Sequence, residues 1–277
     1  MKKSFYNYLI ILSAALLFAA CDINNHDHYY NDYTPPAPPT GIVVFNGDNR
    51  VDLSWNWNRE EDVAGYNVYY SYSYSGKYTL IGGTTDNYFI DYDAVNGNTY
   101  YYAVTAYDFN GNESELSYDV IYSTPRPEGF NQSIFDYRKY PDNAGYSFTT
   151  YSPVAYDSDN ADFFFENFNG TYYLDVWDDS DIIDMGPTSD IYDIAQAPLN
   201  GWSPTKDEIA RTGHTYVIWT WDNHFAKVRI KSITRDRIVF DWAFQLVEGE
   251  RQLKMNAVPE KRGPLTRSFT RVTEAAE

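Results

Sequence analysis

From residue 41 to about residue 124, short runs of alternating apolar and polar positions are broken by turn residues at regular spacing. That rhythm predicts an all-β sandwich or barrel. Ile42-Val43-Val44-Phe45 reads as a strand and Asn46-Gly47-Asp48-Asn49 as the turn after it. Val51, Leu53 and Trp55 then alternate with Asp52 and Ser54, so three apolar side chains share one face. Tyr66, Val68 and Tyr70 repeat the alternation, as do Tyr100, Tyr102, Val104 and Ala106. Asn96-Gly97 and Asn110-Gly111 tolerate positive φ and are expected to close hairpins.

Pro125, Pro127 and Gly129 mark a boundary, and residues 128–275 are expected to form a second, separate antiparallel β domain. Residues 163–168, Asn169-Gly170 and residues 171–177 predict one hairpin. Residues 214–221, Asp222-Asn223 and residues 224–233 predict another. A two-residue turn there would pair Trp221 with His224, Trp219 with Ala226 and Val217 with Val228 on one apolar face. Tyr216, Thr220, Phe225, Lys227 and Arg229 would occupy the other face. Ile238, Phe240, Trp242 and Phe244 line one side of a further strand, with Asp241 and Gln245 opposite. The one stretch with helical character is residues 203–211, where Ser203 before Pro204 resembles a capped helix start.

The first region resembles the fibronectin type III family. The elements that carry the likeness are Pro38-Pro39, Val51-Asp52-Leu53-Ser54-Trp55, Gly65-Tyr66-Asn67-Val68-Tyr69-Tyr70 and Thr99-Tyr100-Tyr101-Tyr102-Ala103-Val104-Thr105-Ala106. Asp108-Phe109-Asn110-Gly111-Asn112-Glu113-Ser114 completes them, and together they cover residues 36–124 in order. The resemblance implies a seven-stranded, immunoglobulin-like β-sandwich with Trp55 buried between its sheets. It also implies that Tyr100 is a corner tyrosine whose hydroxyl ties the chain to nearby backbone. No Arg-Gly-Asp occurs, so the cell-adhesion version of the fold has no support.

The amino terminus adds a compartment. Lys2 and Lys3 precede an uncharged apolar run at residues 8–18, shorter than the ~20 residues a membrane-spanning helix needs. Residues 1–20 therefore read as a secretion signal. Leu17-Phe18-Ala19-Ala20-Cys21 resembles the lipobox of bacterial lipoproteins, which implies acylation of Cys21 and an outer-membrane anchor in the cell envelope. Each buried methylene of such chains contributes about 0.8 kcal/mol, so several together hold durably. Residues 21–35 read as a flexible tether, and the pairs Pro35-Pro36 and Pro38-Pro39 that follow its polar part favour extended geometry. Cys21 is the sole cysteine, so no disulfide can form within the chain and stability must come from burial. Removal of the signal would take the formal net charge from −18 to −20, since it contains two lysines and no acid. That acidity argues against nucleic acid as a partner.

Candidate chemistry is sparse. No Gly-x-Ser-x-Gly, His-Glu-x-x-His or phosphate loop occurs, so the expectation is a protein without catalytic residues, metal or cofactor. Asp157-Ser158-Asp159-Asn160-Ala161-Asp162 departs from a calcium loop at Ala161. Asp175, Asp178, Asp179, Asp181 and Asp184 crowd one segment and could supply oxygens to calcium, but a solvated acidic loop is the preferred reading. His26 and His28 on the tether form too weak a pair for a metal. Of the C-terminal tryptophans, Trp219, Trp221 and Trp242 fall on alternating apolar faces and are expected in the core. Trp177 and Trp202, beside polar and turn residues, are the candidates for stacking on a sugar. Residues 213–218, 225–230 and 238–245 faintly resemble the late strands of HmuY-like haem-binding proteins. His214 and His224 would then be the available ligands, but they fall on opposite faces of the predicted hairpin. The expected function is a lipid-anchored, non-catalytic binding or structural protein. The fibronectin-like domain serves as spacer, the C-terminal domain as interaction module, and an envelope protein or a glycan as partner.

Overall fold

The computed structural model describes residues 32–254 and the short strand Glu260–Lys261. The signal segment, Cys21, His26 and His28 lie outside the described residues. The protein is all-β, with four antiparallel sheets arranged as two sandwiches. The described residues from Pro35 onward belong to one compact unit.

In the first sandwich, β1 (Val43–Gly47), β2 (Arg50–Ser54) and β5 (Tyr88–Asp91) form a three-stranded sheet in the order β1-β2-β5. The opposing sheet contains β3 (Val63–Ser71), β4 (Thr79–Thr84), β6 (Tyr100–Asp108) and β7 (Asp119–Ser123), ordered β7-β6-β3-β4. Three strands on four is the seven-stranded arrangement that the resemblance implies. The alternation read from the sequence is the inner face: Val51, Leu53, Trp55, Tyr66, Val68, Tyr102, Val104 and Ala106 all enter one buried cluster. Trp55 lies between the sheets at 3 % exposure, edge-on to Tyr66. The corner is present too, with the Val95 backbone N–H donating to the Tyr100 hydroxyl at 2.9 Å. Asn96-Gly97 departs from expectation. Instead of closing a hairpin it carries the chain from β5 in one sheet to β6 in the other, with Gly97 at φ +82°. Asn110-Gly111 does turn the chain back on itself, bringing Glu113 beside Tyr107.

The second sandwich is larger. One sheet, ordered β13-β15-β16-β17-β8, contains β8 (Glu128–Phe135), β13 (Asp181–Pro187), β15 (His214–Trp219), β16 (Phe225–Thr234) and β17 (Arg237–Phe244). The other, ordered β10-β9-β11-β12-β14, contains β9 (Gly145–Ser147), β10 (Ser152–Val154), β11 (Phe163–Phe168), β12 (Thr171–Asp175) and β14 (Asp207–Ile209). Their facing sides bury an aromatic core that includes Tyr146, Phe148, Phe163, Phe165, Phe240 and Trp242. The β11–β12 hairpin has the predicted register, Phe168 opposite Thr171, and its turn residues Asn169 and Gly170 both take positive φ. Ile238, Phe240, Trp242 and Phe244 enter the core as read. The short strand β18 (Glu260–Lys261) pairs with β7 of the first sandwich.

Two expectations need correction here. The β15–β16 hairpin closes on Trp219 opposite Phe225, so Tyr216 pairs with Val228 and Val217 with Lys227. The five residues between fold around Thr220, whose hydroxyl donates to the His224 carbonyl and accepts from its N–H. A one-residue register shift exchanges faces, so Tyr216 is wholly buried in the core while Trp221 is 63 % exposed in the turn. Residues 203–211 form no helix. Ser203 and Lys206 close a turn with Lys206 at φ +63°, and the chain then enters β14 against β12. The Ser203 hydroxyl donates to the Asp207 carbonyl rather than capping a helix.

Candidate functional site

The feature of the first sandwich most suited to holding a ligand lies where its two sheets diverge. β4 and β5 are the edge strands of different sheets, and a groove of about 460 Å³ opens between them. Ile81 from β4 and Phe89 from β5 line it, and a side chain at Gly82 would run into the Phe89 ring. Tyrosines build its walls. Tyr70, Tyr72 and Tyr100 form a mutual cluster with ring centroids 5.3–5.4 Å apart. Tyr92 also lines the groove and is 68 % exposed, while Tyr72 is 63 % exposed. Two carboxylates complete the lining. Asp91 is buried, accepting from the Tyr102 hydroxyl at 2.8 Å and the Asp93 N–H at 3.0 Å, while Asp93 is exposed. Burial and the Asp91 charge push the Tyr102 phenol far above its ordinary range, so it stays a donor to that carboxylate. The result is two exposed tyrosine rings, Tyr72 and Tyr92, beside the exposed Asp93 carboxylate, over a floor in which Tyr100 and Asp91 are buried, in the size range of small-molecule clefts.

A second cleft, about 420 Å³, lies at the joint between the sandwiches. Phe45, Asn46 and Arg50 line it from the β1–β2 hairpin, and Glu128, Tyr192 and Lys254 from the other side. Behind it sits Arg126, completely buried, its Nε donating to the Leu253 carbonyl at 2.8 Å and its Nη1 to Glu128 at 3.2 Å. The Tyr192 hydroxyl donates to the other Glu128 oxygen at 2.9 Å. Lys227, also fully buried, donates to the Ile194 carbonyl. Burial and then the Arg126 charge hold its ammonium well below its ordinary range.

The structure does not bring the two predicted tryptophans together. Trp177 is 41 % exposed and rests on Phe164, which alternates with the core residues Phe163 and Phe165 and so lies on the outer face of β11. Trp202 packs against Trp219 and Phe225 in a small cluster with Val217, on the outer face of the other sheet. Its indole nitrogen is buried without a partner. Within the acidic segment, Asp181 pairs with Lys206, and Asp184 with Arg211 and with His214 Nδ1. Asp162 accepts from the Phe148 N–H, and burial raises its carboxyl to about 7. The same cause, reinforced by Glu166 and Asp207, raises Asp175 to about 7. His224 meets the Gln245 carbonyl. The tyrosine groove was not recognised from sequence, although Tyr70 and Tyr100 were placed on apolar faces. What was missing was the sheet assignment that sets β4 beside β5.

No family model matches the chain. It is 38 % identical over 100 residues to an amylopullulanase of Thermoanaerobacterium saccharolyticum, and 40 % identical over 88 residues to one of Thermoanaerobacter thermohydrosulfuricus. Those stretches are 36 % and 31 % of this chain but only 8 % and 6 % of the relatives. Among solved structures, an Fn3-like protein from Clostridium thermocellum is 32 % identical, covering 30 % of this chain and 88 % of that one, with a TM-score of 0.27. A DUF4466 family protein from Parabacteroides merdae is 9 % identical, covering 76 % of this chain and 99 % of that one, with a TM-score of 0.41.

Proposed function

We propose that this is a lipid-anchored, non-catalytic binding protein of the bacterial cell envelope, and that its ligand is a glycan held in the tyrosine groove of the first sandwich. The observation that carries the reading is the juxtaposition of Tyr70, Tyr72, Tyr92 and Tyr100 with Asp91 and Asp93 in one groove. Sugar rings present C–H faces that lie against aromatic rings and hydroxyls that donate to carboxylates. A groove that offers both, and keeps two of its tyrosines more than half exposed, suits that chemistry. The similarity to proteins named for pullulan supports the same class of ligand. The anchor part rests on the signal-like start and Cys21. In this reading the first sandwich is the binding element, and the tether alone acts as the stalk.

The test is calorimetric titration of the mature chain with maltotriose and with pullulan. Tyr72→Ala with Tyr92→Ala removes two exposed faces, each worth about 0.5–1.5 kcal/mol beyond its area, so affinity is expected to fall about five- to a hundred-fold. Unchanged affinity in that variant would reject the groove as the site. A loss produced instead by Trp177→Ala or Trp202→Ala would move the site to the second sandwich.

A further inference from the structure

We propose that the second sandwich carries a binding site of its own, a cleft for a short peptide with a free amino terminus and a carboxylate. The inference is independent of the glycan reading and of the tyrosine groove. The cleft, about 700 Å³, opens where the chain leaving β8 meets the β11–β12 hairpin and the β16–β17 turn. Asp136, Lys139, Asn167, Tyr172, Arg235 and Asp236 line it. Hydrogen bonds lock these three segments together. The Asp136 N–H donates to the Asp236 carbonyl at 3.0 Å, and the Asn167 N–H donates to Asp136 Oδ1 at 3.0 Å. Asn167 Nδ2 donates to the Arg235 carbonyl at 2.7 Å. Asn167 therefore bridges the Asp136 carboxylate and the Arg235 backbone, and sets both residues in one lining.

Asp136 is the floor of the site. It is 6 % exposed, and its Oδ1 accepts from the N–H groups of Asn167 and Arg138. Its Oδ2 accepts from none of the described residues and keeps its solvent contact on the side of the cleft that the residue lines. Two backbone donors on Oδ1 hold the carboxylate plane, so Oδ2 is the acceptor it offers to a ligand. Charge then selects the ligand. Lys139 Nζ is bound to Asp236 at 2.7 Å, so that pair is locally neutral. Arg235 is exposed and has no ion-pair partner among the described residues. One carboxylate and one guanidinium are left over. A simple cation would meet Lys139 and Arg235, and a simple anion would meet Asp136. Calcium needs about six to eight oxygens, and only two carboxylates line the cleft. A peptide zwitterion satisfies both groups: its primary ammonium has donors for Asp136 Oδ2, and its carboxylate matches the planar fork of Arg235. Tyr172, half-buried, adds an aromatic surface to the lining.

The test is calorimetric titration of the mature chain with trialanine, N-acetyl-trialanine and trialanine amide, with maltotriose as the control. Trialanine is expected to bind saturably. Acetylation of its amino terminus and Asp136→Asn are each expected to weaken binding about ten-fold or more, and together to cost no more than either alone, because both remove one contact. Amidation of its carboxylate and Arg235→Ala are expected to form a second such pair. Asp136→Asn keeps the Oδ1 acceptor, and an unchanged melting temperature will confirm that the frame survives. If that variant is destabilised, the Arg235 pair decides, since Arg235 is exposed and its side chain holds no part of the frame. Equal affinity for free and acetylated peptide, or losses that add in full within each pair, would overturn the proposal. So would the absence of saturable trialanine binding, which would leave the glycan reading standing. Maltotriose binding that is lost in Asp136→Asn but kept in Tyr72→Ala/Tyr92→Ala would overturn both.

Discussion

Single residues set the pH response of this protein. Asp162 is 8 % exposed, accepts the Phe148 N–H, and has its carboxyl raised by burial to about 7 from an ordinary 3.8. The folded state therefore keeps a proton that the unfolded chain releases between about pH 4 and pH 7. Below that window both states are protonated and burial of the acid costs nothing in ionisation. Through it stability falls, and above pH 7 the full penalty remains. Asp162→Asn keeps the acceptor and removes the charge. Its melting temperature is expected to exceed that of the parent at pH 8, by the equivalent of ~2–4 kcal/mol, and to match it near pH 4. An equal difference at both pH values would contradict this account. Asp175 carries the same kind of shift, and its Oδ2 is buried without a partner. Nothing in the local sequence distinguishes these two aspartates from the exposed ones beside them, because burial of a carboxylate is a property of the fold. Tyr100 was legible by contrast, since its place in a spaced set of strand residues marked it as the corner. Tyr216 makes the equivalent clasp in the second sandwich, its hydroxyl accepting from the Arg211 N–H and donating to the Ile209 carbonyl, both at 2.8 Å.

Strands and turns were legible wherever period-2 alternation was long or a turn dipeptide was strong. Asn169-Gly170 specifies a two-residue turn with positive φ at both positions, so the β11–β12 register could be read directly. Asp222-Asn223 misled because the Thr220 side chain offers the backbone a competing set of hydrogen bonds and lengthens the loop. One residue of slip then exchanged Tyr216 and Trp221 between core and solvent. The expected helix at 203–211 failed for a related reason. Its segment completes the edge of a sheet, and pairing of Ile209 with Tyr173 overrides a weak local preference. Close approach between strands is equally hidden in sequence. Gly129 on β8 lies opposite Trp242 on β17, and a Cβ there would fall on the indole ring. Gly129→Ala is expected to destabilise the second sandwich by about 1–3 kcal/mol through overpacking, measured by urea denaturation. A change below 0.5 kcal/mol would show that the β8–β17 pairing is looser than described.

At the scale of the molecule, the two sandwiches have separate aromatic cores but meet through a buried polar joint rather than an open linker. Arg126, Asn46 and Gln252 tie the β1–β2 hairpin and the segment after β7 to the end of the second sandwich. The boundary read at Pro125, Pro127 and Gly129 falls at this joint. The joint was not legible because its partners, Asn46, Arg126 and Leu253, lie far apart in sequence. The proposal that a glycan occupies the groove between β4 and β5 turns on the exposed rings of Tyr72 and Tyr92. Its most direct test is an NMR titration of the mature chain carrying ring-labelled tyrosine, with maltotriose as ligand and Tyr72→Phe and Tyr92→Phe assigning the signals. Binding in the groove is expected to give saturable, concerted shifts of the Tyr72 and Tyr92 rings, while the core ring of Tyr146 stays unmoved. Binding that leaves Tyr72 and Tyr92 in place, or no binding at all, would contradict it.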